Sequence, residues 1–189
     1  MEEHNDLEII EEHIAGNEKA FAVLVNRYFK IVYRYSLSWQ KDSTLAEDAT
    51  QETFLKVWKK LNTFDTAGSF KSWILRITRN TNIDILRKKK SFNFTELGVN
   101  DEDNFVESIE STDPLPDEVF AHIEDKEVLR SMLENLSLQE REVIRLRYGE
   151  DMSFEEIANV LDKNLNTVKS LNRRGLLKLR ELKVQLNYN

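Results

Sequence analysis

The chain has 189 residues, 40% of them apolar and 32% charged, enough for one medium core or two small ones beneath a very polar surface. Five Gly and two Pro are too few for the turns of a many-stranded sandwich or barrel, which favours helices. The absence of Cys excludes a disulfide framework, thiolate catalysis, a Cys-ligated zinc site and an iron–sulfur cluster.

The net charge of −7 would by itself argue against a nucleic-acid partner. It is unevenly spread: residues 91–125 hold 11 Asp/Glu and no Lys/Arg, whereas 1–90 and 126–189 each carry a net charge of +2. Each flanking block has a basic cluster, Arg76, Arg79, Arg87, Lys88, Lys89 and Lys90 in the first and Lys163, Lys169, Arg173, Arg174, Lys178, Arg180 and Lys183 in the second. Such asymmetry says more about partners than the overall charge does.

The first residues, Met1 to Asp6, are acidic and lack an apolar core, unlike a secretory signal. No apolar run approaches the roughly 20 residues that span a membrane. The expected setting is the cytoplasm.

Taken in order, a short helix is expected over 6–14 and, after Gly16-Asn17, a longer one over 18–39. In the longer one Phe21, Leu24, Val25, Tyr28, Val32 and Tyr35 recur at three- and four-residue steps. A helix over 44–61 follows, with Thr44 and Glu47 at capping-box spacing. Its apolar stripe is Phe54, Val57, Trp58 and Leu61, with Trp58 expected in the core, and Asp48, Gln51, Glu52 and Lys56 fall on the surface. Residues 62–69 read as a loop. Residues 70–89 form a helix lined by Phe70, Trp73, Ile74 and Ile77, with its cations at the C-terminal end where they suit the helix dipole.

Residues 91–116 show no period, contain both prolines and read as a flexible acidic linker. Helical pattern resumes over 117–135. Ser137 with Glu140 and Ser153 with Glu156 have capping-box spacing. Gly149 is the expected stop of the first of these helices. The second covers 153–161, and after the turn Asp162-Lys163-Asn164 a last helix runs over 165–186.

The expected fold is therefore all-α: an N-terminal helical bundle (1–90) and a C-terminal helix-turn-helix domain (117–189), joined by the acidic linker (91–116). A short capped helix, a three-residue turn and a longer basic helix have helix-turn-helix dimensions. Ile157, Ala158, Leu161 and Val168 sit where the two helices must touch. With Asn164 as cap, Asn166, Thr167, Lys169, Ser170 and Arg173 occupy the early turns that reach bases and phosphates in a major groove.

In the first block, aromatics (Phe64, Phe70, Trp73 and Trp39) lie near Lys71, Arg76, Arg79 and Asn80. That mixture suits an unstacked single strand, and Asn and Thr in the 63–72 loop suit the edges of a flipped base. The competing expectation is that most of these aromatics are core. No metal-ligand spacing among His4, His13 and His122, no phosphate loop and no nucleophile elbow point to catalysis, a metal or a cofactor.

These residues resemble a known family. Asp48-Ala49-Thr50-Gln51-Glu52-Thr53-Phe54-Leu55-Lys56-Val57-Trp58 is similar to the conserved helix of bacterial sigma factors. Phe70 through Ile77 with Asn80, Asp84 and Arg87 is similar to their promoter-melting segment. Glu140-Arg141-Glu142-Val143-Ile144, Ser153 through Ala158 and Thr167-Val168-Lys169-Ser170 are similar to their C-terminal helix-turn-helix. Two domains alone resemble the small extracytoplasmic-function (ECF) type.

The resemblance implies a non-enzymatic RNA polymerase subunit that directs transcription initiation. It implies that Asp48, Gln51, Glu52 and Phe54 bind the polymerase clamp. Residues 64–72, with Asp65, Ser69, Phe70, Lys71 and Trp73, would capture a base of the −10 element, next to Arg76, Asn80, Asp84 and Arg87 on the strand-binding helix. Asn166, Thr167, Lys169, Ser170, Arg173 and Arg174 would read the −35 element. Core polymerase (clamp and flap) and promoter DNA, double- and single-stranded, are the implied partners, and an anti-sigma factor is a further one.

The sequence departs from the family pattern at Leu171, where Arg is usual and a phosphate contact is expected. It departs also at Asn172, where a core residue is usual, and at Gly175, where Ala is usual. Leu176 and Leu177 form an apolar turn on which an inhibitor or the polymerase flap is expected to dock. The alternatives are a dimeric helix-turn-helix regulator that acts without polymerase and a purely structural helical adaptor. The first leaves the 44–61 and 70–89 helices without a role, and the second leaves both basic clusters without one.

Overall fold

The computed structural model describes residues 5–88 and 126–186, and among them there is no strand. The expected linker 91–116, the start of the helix expected from 117, and Lys89 and Lys90 lie outside the described residues. The helices fall into two units.

The first unit contains α1 (Asp6–Ile14), α2 (Glu18–Gln40), α3 (Ser43–Lys60), a 3₁₀ turn (Leu61–Thr63) and α4 (Phe70–Lys88). Asn5 and Glu8 form a reciprocal capping box on α1. The Asp6 carboxylate then accepts hydrogen bonds from the Tyr28 hydroxyl and the Arg27 guanidinium, tying α1 to α2. Burial, and then the hydrogen bond to Asp6, push the Tyr28 hydroxyl's pKa well above its ordinary value. Gly16 turns the chain between the two helices at φ +100°, a conformation strained for any residue with a Cβ.

The cap of α3 differs from expectation. Asp42, not Thr44, holds it, its Oδ1 accepting from the Leu45 N–H at 3.0 Å. Both residues lie near the helix start, and Asp42 is the one in extended backbone, where a cap residue can turn its side chain onto the helix.

The core of this unit is Ile9, Ile10, Leu24, Tyr28, Val32, Val57, Leu61, Phe64, Phe70 and Ile74. Trp58, expected among them, is 42% exposed. Its ring sits at the end of the bundle, edge-on to His13 and Phe21 at centroid distances of 4.7 and 4.9 Å. Beneath the apolar core lies a buried polar layer between α2 and α4. Asn82 donates from Nδ2 to Ser36 Oγ (3.1 Å) and to the Thr78 carbonyl (2.9 Å), and Gln40 Nε2 donates to Asn82 Oδ1 (2.9 Å). Gln40 Oε1 is the buried acceptor of this layer that has no partner.

The second unit contains α5 (Lys126–Glu134), α6 (Leu138–Ile144), a π-helical turn (Arg145–Gly149), α7 (Phe154–Leu161) and α8 (Leu165–Gln185). Both expected capping boxes form, Ser137 with Glu140 and Ser153 with Glu156. Gly149 is the last helical residue, as expected, though not in the left-handed conformation. The helix widens into the π turn instead, Met152 N–H donates to the Leu146 carbonyl at 3.1 Å, and the left-handed residue is Asp151.

Met132, Leu136, Ile144, Leu176 and Leu179 form the shared core of α5, α6 and α8. Leu176 is thus packed inside and offers no docking surface, while Leu177 is half-buried. Leu171 is also buried, so this position points into the unit and not toward a phosphate. Asn172 is buried, as expected of a core position, and its Oδ1 has no partner.

Gly175 explains itself once the packing is known. A Cβ there would meet Ile144 Cγ1 at 3.0 Å and Cδ1 at 3.3 Å. Replacing Gly by Ala adds up to about 1 kcal/mol of helix propensity, but Ile is stiff at χ1 in a helix and overpacking costs about 1–3 kcal/mol. Gly175→Ala is therefore expected to lower the melting temperature by several degrees in circular dichroism. A rise would mean that Ile144 yields.

Candidate nucleic-acid and partner interfaces

On α3 the inward side is Ala46, Ala49, Thr50, Thr53, Phe54 and Val57, all buried. The outward side follows by helical spacing: Asp48, Gln51, Glu52, Leu55 and Trp58 lie within about 120° of arc. Asp48 and Gln51 are exposed and Glu52 is half-buried. Phe54, grouped with them by resemblance, faces the core instead. The apolar residue on the outward face is its neighbour Leu55, 61% exposed. Its step of four from Gln51 and seven from Asp48 was the readable signal.

Glu52 is not isolated. It pairs with Lys56 Nζ at 3.0 Å, and the same ammonium reaches Thr81 Oγ1 at 3.1 Å and Asp84 Oδ2 at 3.4 Å on α4. A residue expected to bind the clamp and one expected to bind the strand thus share one cation, a link that no local spacing announces.

The 64–69 loop is a built turn. Phe64 anchors it in the core. Asp65 Oδ1 accepts from the Ala67 N–H at 3.0 Å, and the Asp65 carbonyl accepts from the Gly68 N–H at 2.9 Å. Ser69 starts α4, with its carbonyl accepting from the Trp73 N–H at 3.0 Å.

Trp73, Arg76, Asn80, Asp84 and Arg87 succeed one another at three- and four-residue steps and form one stripe along α4. Arg76, Asn80 and Arg87 are exposed, and Trp73 and Asp84 are half-buried. Phe70 is corrected to a core residue, with its ring 5.1 Å from Tyr28 and 5.5 Å from Phe64. Lys71, two residues from Trp73, lies off the stripe. Trp39 carries the Arg79 guanidinium over its ring at 5.9 Å.

On α8, Val168, Leu171, Asn172, Leu176 and Leu179 face inward. Asn166, Lys169, Ser170 and Arg174 are exposed, and Thr167 and Arg173 are half-buried. All six occupy the arc opposite Val168. Asn164 Oδ1 caps the helix through the Thr167 N–H at 2.7 Å. Behind α8, Lys178 Nζ donates to both oxygens of Glu140 at 2.8 Å.

Two families match this chain, Sigma-70 region 2 over residues 24–92 and Sigma-70, region 4 over residues 132–181. The ECF RNA polymerase sigma factor SigX of Bacillus subtilis is 30% identical over 164 residues, which are 87% of this chain and 84% of SigX. The chain belongs to the ECF sigma factors. The ECF sigma factor SigW of the same organism is 29% identical over 168 residues, 88% of this chain and 90% of SigW.

Among solved structures, CnrH in complex with the cytosolic domain of CnrY is similar, with a TM-score of 0.65 and 26% identity over 92% of this ECF sigma factor and 94% of that chain. The sigma factor RpoE in complex with the anti-sigma factor NepR from Bartonella quintana gives a TM-score of 0.64 and 26% identity over 87% and 96%. As an RNA polymerase sigma factor, the protein functions in promoter recognition. No helix among the described residues is long and apolar enough to cross a membrane.

Proposed function

We propose that residues 1–90 form the polymerase-docking and −10 domain and residues 117–189 the −35 domain, joined by 91–116. In this reading Asp48, Gln51 and Glu52 meet core polymerase through the outward face of α3. The stripe Trp73, Arg76, Asn80, Asp84 and Arg87 follows the melted strand, with Asp65, Ser69 and Lys71 at its loop end. Asn166, Thr167, Lys169, Ser170, Arg173 and Arg174 enter the major groove at the −35 element. The chain then acts by binding, inside the cytoplasm, and an anti-sigma factor of the kind seated on RpoE is a further partner for it.

The observation that carries the reading is the division of α8: one side is committed to core, and the polar and basic residues expected to touch DNA all lie on the other. The test is run-off transcription with core polymerase on a promoter library. New sequence-specific starts support it, and no binding to the cognate core polymerase would end it.

Within the holoenzyme, Lys169→Ala should weaken promoter binding evenly across sequences and reduce its salt slope by about 1, as loss of one phosphate contact does. Asn166→Ala should relax base choice at one −35 position by about 1–3 kcal/mol. Filter binding at several salt concentrations distinguishes the two. Equal, sequence-dependent losses would reassign Lys169 to a base.

A further inference from the structure

We infer that Lys56 is a positioning residue that couples polymerase docking to strand binding. Once core polymerase engages Glu52, the Lys56 ammonium belongs to Asp84 alone and cancels the negative charge on the strand-binding stripe. This rests on the docking and strand readings given above.

An ammonium has three protons to donate. Glu52 Oε1 lies 3.0 Å from Lys56 Nζ, Thr81 Oγ1 at 3.1 Å and Asp84 Oδ2 at 3.4 Å. The Thr81 hydroxyl donates its own proton to the Ile77 carbonyl at 2.9 Å, so it accepts from Lys56. The ammonium is thereby fixed to α4, while its charge is divided between two carboxylates, with Glu52 the nearer.

Two carboxylates on one ammonium leave a negative charge over. Part of it falls on Asp84, which stands between Asn80 and Arg87 on the stripe. A DNA strand brings a phosphate charge with every nucleotide, so an incompletely compensated Asp84 opposes it. A polymerase cation that pairs with Glu52 ends the sharing. Lys56, still held by Thr81, then compensates Asp84 in full. Docking raises strand affinity, and by linkage a bound strand raises affinity for polymerase by the same factor. The side chains of Lys56, Glu52 and Asp84 are 30%, 38% and 46% exposed, so water screens part of the effect and the factor is small.

The test uses the full chain without polymerase and a short labelled single-stranded DNA of randomised sequence, read by fluorescence anisotropy in about 0.1 M salt, where the Debye length is ~10 Å. Glu52→Gln imitates the docked state and should raise affinity roughly threefold, the scale of one partly exposed ion pair. Glu47→Gln removes the same charge from an exposed site on α3, about 14 Å along the helix from Lys56, and should leave affinity at the parental value. Lys56→Met should lower affinity roughly threefold. Beside Asp84→Asn both effects should vanish, as coupled groups require. Thermal melting checks that each variant folds, and Glu52→Gln, which keeps the shape of the side chain, tests the coupling even where Lys56→Met does not fold.

Equal gains from Glu52→Gln and Glu47→Gln would reduce the effect to net charge and overturn the coupling. A Lys56→Met loss that persists beside Asp84→Asn would make Lys56 a direct strand contact instead. Titration of Glu52→Gln with core polymerase separates this inference from the docking reading. Weakened docking with no gain in strand affinity overturns the coupling and keeps the docking face. A gain in strand affinity with parental docking removes polymerase as the trigger.

Discussion

Changing Asp48 and Glu52 together to alanine is expected to weaken core-polymerase binding roughly tenfold to a hundredfold, as loss of close interfacial charges does. Stability should barely move. Asp48 is exposed. Glu52 gives up its Lys56 pair at 3.0 Å, an i,i+4 bridge worth a few tenths of a kcal/mol. Lys56 keeps Thr81 at 3.1 Å and Asp84 at 3.4 Å. Titration of labelled core polymerase, alongside thermal melting, decides the matter. A melted variant would make the two carboxylates structural, and a folded variant with parental affinity would place docking elsewhere.

Glu140→Ala is expected to cost the second unit about 2 kcal/mol, because a single carboxylate does two jobs there. It accepts from the Ser137 N–H at 3.0 Å, closing the capping box of α6, and from Lys178 at 2.8 Å, tying α6 to α8. Its side chain is 4% exposed, whereas Lys178 is 49% exposed. Solvent therefore screens the charge contribution, and much of the loss should come from the cap.

Burial alone would raise the Glu140 pKa, but the hydrogen bonds from Lys178 and Ser137 outweigh it and hold the carboxyl below its ordinary value. The folded value lies below the unfolded one, so the stabilisation is fully present above the ordinary carboxylate range. It is lost as pH falls through the folded value. Ellipticity melts from pH 7 to pH 3 should show this loss in the parent and a smaller one in Glu140→Gln. Equal slopes would mean that another carboxylate controls acid unfolding.

How far the sequence could be read depended on the range of the interaction. Ser137 with Glu140, Ser153 with Glu156, and Asn164 with Thr167 are contacts between residues three apart, and their spacing announces them. The division of α8 into a core side and a polar, basic side was legible for the same reason, since period 3.6 fixes it. Trp58 was misread because the period put it at the margin of a stripe. Its burial depended on how far α1 reaches, and α1 stops at Ile14. Phe54 and Leu55 are adjacent and both apolar, and the resemblance chose the one that the helix turns inward. Leu176 looked like a surface feature only because neighbouring leucines are not told apart until α6 is laid beside them. The Glu140–Lys178 pair and the Gln40–Asn82 pair join residues 38 and 42 positions apart, and no local pattern encodes either.

The polar layer of the first unit also bears on how such a chain can diverge. Ser36, Gln40 and Asn82 hold one another through hydrogen bonds of 2.9 and 3.1 Å in a space shut off from water. Replacing Asn82 alone takes the donor from the Ser36 hydroxyl and leaves the Gln40 amide only the Asn82 carbonyl at 3.4 Å, which costs more than the original bonds contribute. Replacing all three by apolar residues of matching volume strands nothing. Single steps at these positions are therefore closed and the joint step is open, so among relatives the three identities should drift as a block.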